Sequence, residues 1–238
     1  MIHIKRKKFF LPINEYYFYN QELDNIQSTG LINIFIQSKS QKSGFRKRIV
    51  ETLLIDLKRD EEEIFGKIKK KYRYDIRQSN KDGIELIWND SPSSKDIDEF
   101  CNFYNVFAKG LGIGKANKTK LIAFSKVKAL IFTSVKSADK SCLIRHALIV
   151  DKLRVRLLYS GSLYRETCKK MQALIGRGNK ALHWYEIQKS KSSGKKYYDF
   201  GGISVDGSTK NIDQFKLSFG GEKIVEYNNS NFNFNEEK

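Results

Sequence analysis

Asp199 stands between Tyr198 and Phe200 and runs into Gly201-Gly202. A carboxylate at such a strand end, with the Tyr198 hydroxyl beside it, can take a proton or orient a reactant; it can equally cap the turn. His146 alternates with Ile144 and Leu148 on the apolar side of its strand, which suits a base or a bonded core imidazole. His183 lies in a helical pattern and can face either way. Lys216, in Phe215-Lys-Leu-Ser-Phe-Gly-Gly221, is a cation for a phosphate or a developing negative charge, or a surface lysine. Gly176-Arg-Gly-Asn-Lys180 precedes the helical pattern of 179–192. With Asn179 as N-cap, the free N–H groups of that helix start would suit a phosphate, and Arg177 and Lys180 would add charge. An ordinary capped helix is the alternative. Gly110-Leu-Gly-Ile-Gly114 has no strand before it and reads as a loop. Cys101, Cys142 and Cys168 are odd in number and widely spaced, so reduced thiols of a cytoplasmic protein are expected rather than a zinc or redox motif. Cys142 reads as core, and Cys168 lacks the context of a thiol nucleophile.

These groups need positioning elements, and hydrophobic periodicity supplies them. Residues 31–37, after Gly30, and Thr52-Leu-Leu-Ile-Asp-Leu57 read as strands, with a basic loop at 38–48 between them. Residues 60–79 predict one amphipathic helix: acids fill its first turn, cations the remainder, and Ile64, Ile68, Tyr72 and Ile76 form its apolar stripe. Residues 84–88 return as a strand, 96–108 form a second helix, and 120–134 have a mostly helical pattern. Residues 142–150 and 154–159 form an antiparallel hairpin across Asp151-Lys-Leu153. The helix of 179–192 ends at Gly194. A strand at 196–200 stops at Gly201-Gly202, a short helix or turn spans 211–217, and a last strand covers 223–227. The Asn-rich stretch 228–238 reads as a flexible tail. Helices and strands in this order give a mixed α/β (α+β) layer fold, a largely antiparallel sheet flanked by helices.

Of the 238 residues, 40% are hydrophobic and 13% aromatic, enough for a packed core. Lys plus Arg number 44 against 27 acids, a net charge of +17 that attracts polyanions such as nucleic acid, anionic head groups or coenzyme A. The apolar stretch after Lys5-Arg-Lys-Lys8 is too short for a signal peptide, and no uncharged run approaches the ~18 residues of a membrane span. Peripheral membrane contact through residues 5–10 stays open. No known nucleic-acid motif is present, which ranks a non-catalytic basic nucleic-acid module last.

Three segments together resemble the Fem-type and related GNAT acyltransferases. They are Thr52-Leu-Leu-Ile-Asp-Leu57 with the Glu-rich helix, Lys71-Tyr-Arg-Tyr-Asp-Ile-Arg77 and Gly83; Asn179 to Gly194 followed by Tyr197-Tyr-Asp-Phe-Gly-Gly-Ile203; and Phe215-Lys-Leu-Ser-Phe-Gly-Gly221. The resemblance covers roughly residues 50–227. It implies a GNAT-like domain over 51–227, with residues 1–50 as an N-terminal elaboration packed on it. It implies acyl transfer to an amine, with Asp199, His146 and Tyr198 as catalytic candidates. The strand end at Leu158-Tyr-Ser-Gly-Ser162 becomes the splayed strand whose backbone meets the donor, through Tyr159, Ser160 and Gly161. Gly176, Arg177, Gly178, Asn179 and Lys180, with Lys216, become donor-binding. Length for a single unit favours acyl-CoA, such as acetyl-CoA, as donor without a metal. The acceptor would be an amine or amino sugar of cell-surface polysaccharide synthesis. The alternative is a Fem-like aminoacyltransferase using charged tRNA on a peptidoglycan precursor.

Overall fold

In the computed structural model, residues 1–8, 10–19, 32–204 and 210–232 are described. Their ten strands are β1 (Ile2–Lys8), β2 (Leu11–Tyr17), β3 (Ile32–Ser38), β4 (Arg46–Asp56), β5 (Glu85–Asn89), β6 (Leu130–Lys136), β7 (Cys142–Val150), β8 (Arg154–Ser162), β9 (Tyr197–Ile203) and β10 (Glu222–Ser230). They form one sheet in the order β1-β2-β3-β10-β4-β9-β8-β7-β6-β5. The pairs β2–β3 and β8–β9 are parallel and the others antiparallel. The mixed, largely antiparallel sheet is the one expected.

Alternation along the strands sends neighbouring residues to opposite faces. Leu130, Phe132, Ala147 and Ile149 join a core with α3 (Ser94–Leu111) and α4 (Lys118–Lys126). Ile131, Leu148, Val155, Tyr198 and Phe200 point the other way. They meet α1 (Glu61–Lys67), α2 (Lys70–Ser79) and α5 (Lys169–Ser192), with Phe215 of α6 (Lys210–Leu217) alongside. The sheet curls so that the β1–β2 hairpin lies along α4. The Tyr17 and Phe124 rings meet edge-on at 5.0 Å, and Lys120 Nζ pairs with Glu15 Oε2 at 3.0 Å. Glu15 is buried, and burial pushes its carboxyl up. Lys120 and Arg6 overcome this and hold it below its usual value.

Several boundaries differ from expectation. The helix of 60–79 breaks into α1 and α2 at Ile68, which stays buried with an extended backbone (ψ 135), while the Lys69 N–H donates to the Ser218 carbonyl at 2.9 Å. The apolar stripe survives the break, with Ile64, Ile68 and Ile76 all buried. The helical pattern of 120–134 ends at Lys126. Lys128 turns at φ 55, and β-branched residues then take over as β6. β10 continues through Ser230 with Asn229 buried, three residues into the expected tail; beyond Phe232 that stretch lies outside the described residues, as does Leu31 before β3. Gly220 (φ 79) and Gly221 explain the second glycine pair. A Cβ on Gly220 would lie 2.6 Å from the Lys67 carbonyl, and one on Gly221 2.7 Å from that of Leu54.

Candidate functional site

β8 and β9 begin as parallel partners and then separate. Arg154 pairs with Tyr197, Val155 with Tyr198 and Arg156 with Asp199, and there the ladder stops. β8 continues against β7 as far as Ser162, while β9 follows β4, Gly202 opposite Thr52 and Ile203 opposite Glu51. The β8–β9 register ends at Arg156, and Leu157, Leu158 and Ser160 beyond it are half-buried. The ladder ends just before 158–162, the stretch expected to splay.

The Tyr-Asp-Phe-Gly-Gly motif creates the separation. Asp199 is fully buried, in the middle of β9 rather than at a strand end. Its Oδ1 accepts the Gly201 N–H at 2.7 Å and the Thr52 hydroxyl. Its Oδ2 accepts Gln37 Nε2 at 2.9 Å and Arg154 Nη1 at 3.4 Å, with Arg156 Nε 3.8 Å away. Here the register against β4 slips, and Gly201 takes φ 76, a left-handed conformation that glycine adopts freely. A Cβ on Gly201 would approach the Leu157 carbonyl to 3.1 Å. Asp199 thus holds the bulge that bends β9 away; it has no open face for a proton. Behind it, Arg154 is bonded to both Glu226 carboxylate oxygens, at 3.1 and 2.7 Å.

Lys216 of α6 reaches the departing strand and donates to the Gly202 carbonyl at 2.5 Å. Burial draws its amine below the usual lysine value, against the pull of Asp213. On β8, Ser160 pairs with His146 in the ladder, the Tyr159 hydroxyl accepts the Asn117 N–H at 3.2 Å, and Gly161 sits under α3, where a Cβ would come within 3.3 Å of Tyr104.

The segment 176–180 is not a loop before a helix. All five residues lie inside α5, which starts ten residues before Asn179, so no N-terminal N–H groups are free there. Gly178 is small because it packs on Val135 and Ile144, where a Cβ would lie 3.3 and 3.7 Å away. Arg177 forks onto Asp82 at 2.6 and 2.8 Å and Lys180 pairs with Asp75 at 2.6 Å, tying α5 to α2 and to the turn after it. Asn179 faces His146 Nε2 at 3.1 Å.

His146 and Tyr198 are also fully buried, in a network that sequence reasoning missed because Glu186 joins it. His146 Nδ1 meets Glu186 Oε1 at 2.8 Å, and Thr133 donates to the same oxygen. The Tyr198 hydroxyl donates to Glu186 Oε2 at 2.5 Å, and His183 Nδ1 lies 2.9 Å from that hydroxyl. The single Tyr198 proton is spent on Glu186, so His183 carries its proton on Nδ1 and donates it. Burial pushes the Glu186 carboxyl up, but His146 and His183 outweigh this and hold it well below the usual range. Burial and then Glu186 push Tyr198 well up. His146, His183 and Glu186 present ligand atoms within 4.8 Å of one another. Glu186 is met on all sides within the protein, by Thr133, His146, Tyr198 and His183. The i, i+3 spacing of His183 and Glu186 was its one visible trace.

Burial lowers His183 to about 4. Unfolded, it titrates near ~6.5. Between these values the unfolded chain binds the extra proton, so stability is full above ~6.5 and falls as pH drops towards 4, by about 3 kcal/mol. Urea unfolding at a series of pH values should show this slope, and His183→Asn should flatten it. An unchanged slope would remove His183 as its source.

No protein-family model matches the chain, and no curated protein matches it in sequence. Solved structures do match in fold. FemX superposes with a TM-score of 0.62 at 11% identity, over 80% of this chain and 63% of that one, so the chain spans about three fifths of FemX. The C-terminal domain of a putative lysylphosphatidylglycerol synthetase from Agrobacterium fabrum gives 0.57 at 13% identity, over 97% and 81%. L-PGS from Bacillus licheniformis gives 0.56 at 13%, over 95% and 79%. The chain therefore shares its fold, a GNAT-like mixed sheet flanked by helices, with FemX and the lysylphosphatidylglycerol synthetase domains.

Proposed function

We propose that the chain is an N-acyltransferase that takes an acyl group from acyl-CoA, with acetyl-CoA the first to test, and places it on an amine. The acceptor class is an amino sugar of cell-surface polysaccharide synthesis. The observation that carries this reading is the wedge where β8 parts from β9 after Arg156 and Asp199. An extended, amide-bearing donor arm can enter between the two strands there, fixing the thioester beside the wedge. The acceptor nitrogen attacks the thioester carbon, the C–S bond breaks, the thiolate leaves, and the ammonium proton passes to solvent. Lys216, beside Gly202, supplies positive charge for the oxygen that becomes negative. Asp199 acts through Gly201 by keeping the wedge open, as a positioning residue.

A second reading, aminoacyl transfer from charged tRNA, is favoured by the exposed cations of α2, among them Lys70, Lys71 and Arg77 around a Tyr74 that is 60% exposed. One experiment separates the two. Calorimetry with acetyl-CoA and longer acyl-CoAs should show saturable binding. Filter binding with aminoacyl-tRNA should show only weak retention at physiological salt. Binding of aminoacyl-tRNA with no binding of any acyl-CoA would replace the first reading by the second.

A further inference from the structure

One end of the molecule gathers exposed apolar side chains and unpaired lysines around the wedge. α4 runs beside the β1–β2 hairpin, Phe124 against Tyr17 and Lys120 against Glu15, so its N-terminus points to the hairpin tip. The loop 112–117 before α4 is thus at the tip's end, and Asn117 bonds it to Tyr159 of β8. The turn after β8 is there too: Gly110, at the end of α3, faces Glu166 Oε1, which a Cβ would approach to 3.6 Å. At this end Phe10 is 95% exposed, Ile113 46% and Tyr164 45%, with Leu11 beside Phe10. Lys5, Lys7, Lys115, Lys169 and Lys170 surround them, exposed and, within the described residues, in no ion pair. Glu166 and the Lys118-bound Asp98 are acids of the same end.

We infer that this end docks on an anionic lipid bilayer, with Phe10, Leu11 and Ile113 entering the head-group layer and the lysines meeting lipid phosphates. Apolar tips on separate loops, interleaved with cations, match an interface that is apolar below and negative above. A nucleic acid would engage the lysines but leave Phe10, Leu11 and Ile113 in water. Docking here sets the wedge against the membrane, so a lipid-borne substrate could reach β8 without leaving the bilayer.

Cosedimentation with vesicles tests this without any substrate, so its outcome is independent of acyl transfer. Vesicles of phosphatidylcholine with about one third phosphatidylglycerol should carry the protein down at physiological salt, and pure phosphatidylcholine should not. Phe10→Ser with Ile113→Ser should cut the partition at least about tenfold. Lys169→Gln with Lys170→Gln should cut it about fivefold per charge removed. All four positions are exposed, and circular dichroism checks that the variants fold. No sedimentation with the anionic vesicles overturns the inference. So does a partition that Phe10→Ser with Ile113→Ser leaves unchanged, since binding would then be electrostatic alone.

Discussion

Replacing Glu186 by Ala is expected to lower folding stability by about 3–5 kcal/mol, read as a fall in the urea midpoint at pH 7. Glu186 is fully buried and bonds to Thr133, His146 and Tyr198, with His183 at 3.3 Å. Removing its carboxylate leaves an imidazole and two hydroxyls in the core with unmet donors, and the desolvation penalty of each is then uncompensated. Truncating both ends of the pair separates this cost from simple loss of packing. His146→Leu with Glu186→Leu should recover the part of the loss that the stranded imidazole carries, while the Thr133 and Tyr198 hydroxyls stay without their acceptor. A Glu186→Ala variant within 1 kcal/mol of the parent would contradict the network.

Lys216→Met is expected to lower kcat by about 10²–10³-fold while leaving donor affinity within a few-fold. The basis is its position: Nζ lies against the Gly202 carbonyl on the strand that opens the wedge, and burial already depresses its amine. A cation there contributes most when charge develops on the reacting oxygen, and so acts on turnover more than on ground-state binding. Lys216→Arg should restore part of the rate. Steady-state kinetics with the donor selected by calorimetry measures both variants; equal kcat for Lys216→Met and the parent would take Lys216 out of the reaction.

Local pattern revealed much of the architecture. The β7–β8 hairpin was legible because two largely apolar runs flank the short turn Asp151-Lys-Leu153, and α3 because Ile97, Phe100 and Tyr104 recur on one side and all become buried. The two glycine motifs were legible as signals but not as devices. Asp199 looked like a chemical group at a strand end, whereas its partners Gln37, Thr52 and Arg154 come from three other strands. No spacing within one segment displays such a convergence. Gly176 and Gly178 looked like loop residues because glycine costs a helix roughly 1 kcal/mol. The close packing of α5 on β6 and β7 overrides that local preference at Gly178. Glu186 was hidden for the same reason as the Asp199 partners: the strand bearing His146 and the helix bearing Glu186 meet only in the folded sheet.

The place of β10 in the sheet bears on how the protein must be made. β10 lies between β3 and β4, with Phe35 opposite Asn229 on one side and Leu54 opposite Glu222 on the other. During synthesis β1, β2 and β3 are made before β4, yet β10, the strand that joins them to it, is made after the other nine. Until then β3 presents a bare edge, and the N-terminal unit waits while the other strands assemble. Such late, distant pairing slows folding and lengthens exposure of the nascent chain to misassembly. A chain stalled before residue 222 would lack the strand that pairs β3 with β4, the kind of intermediate that chaperones hold.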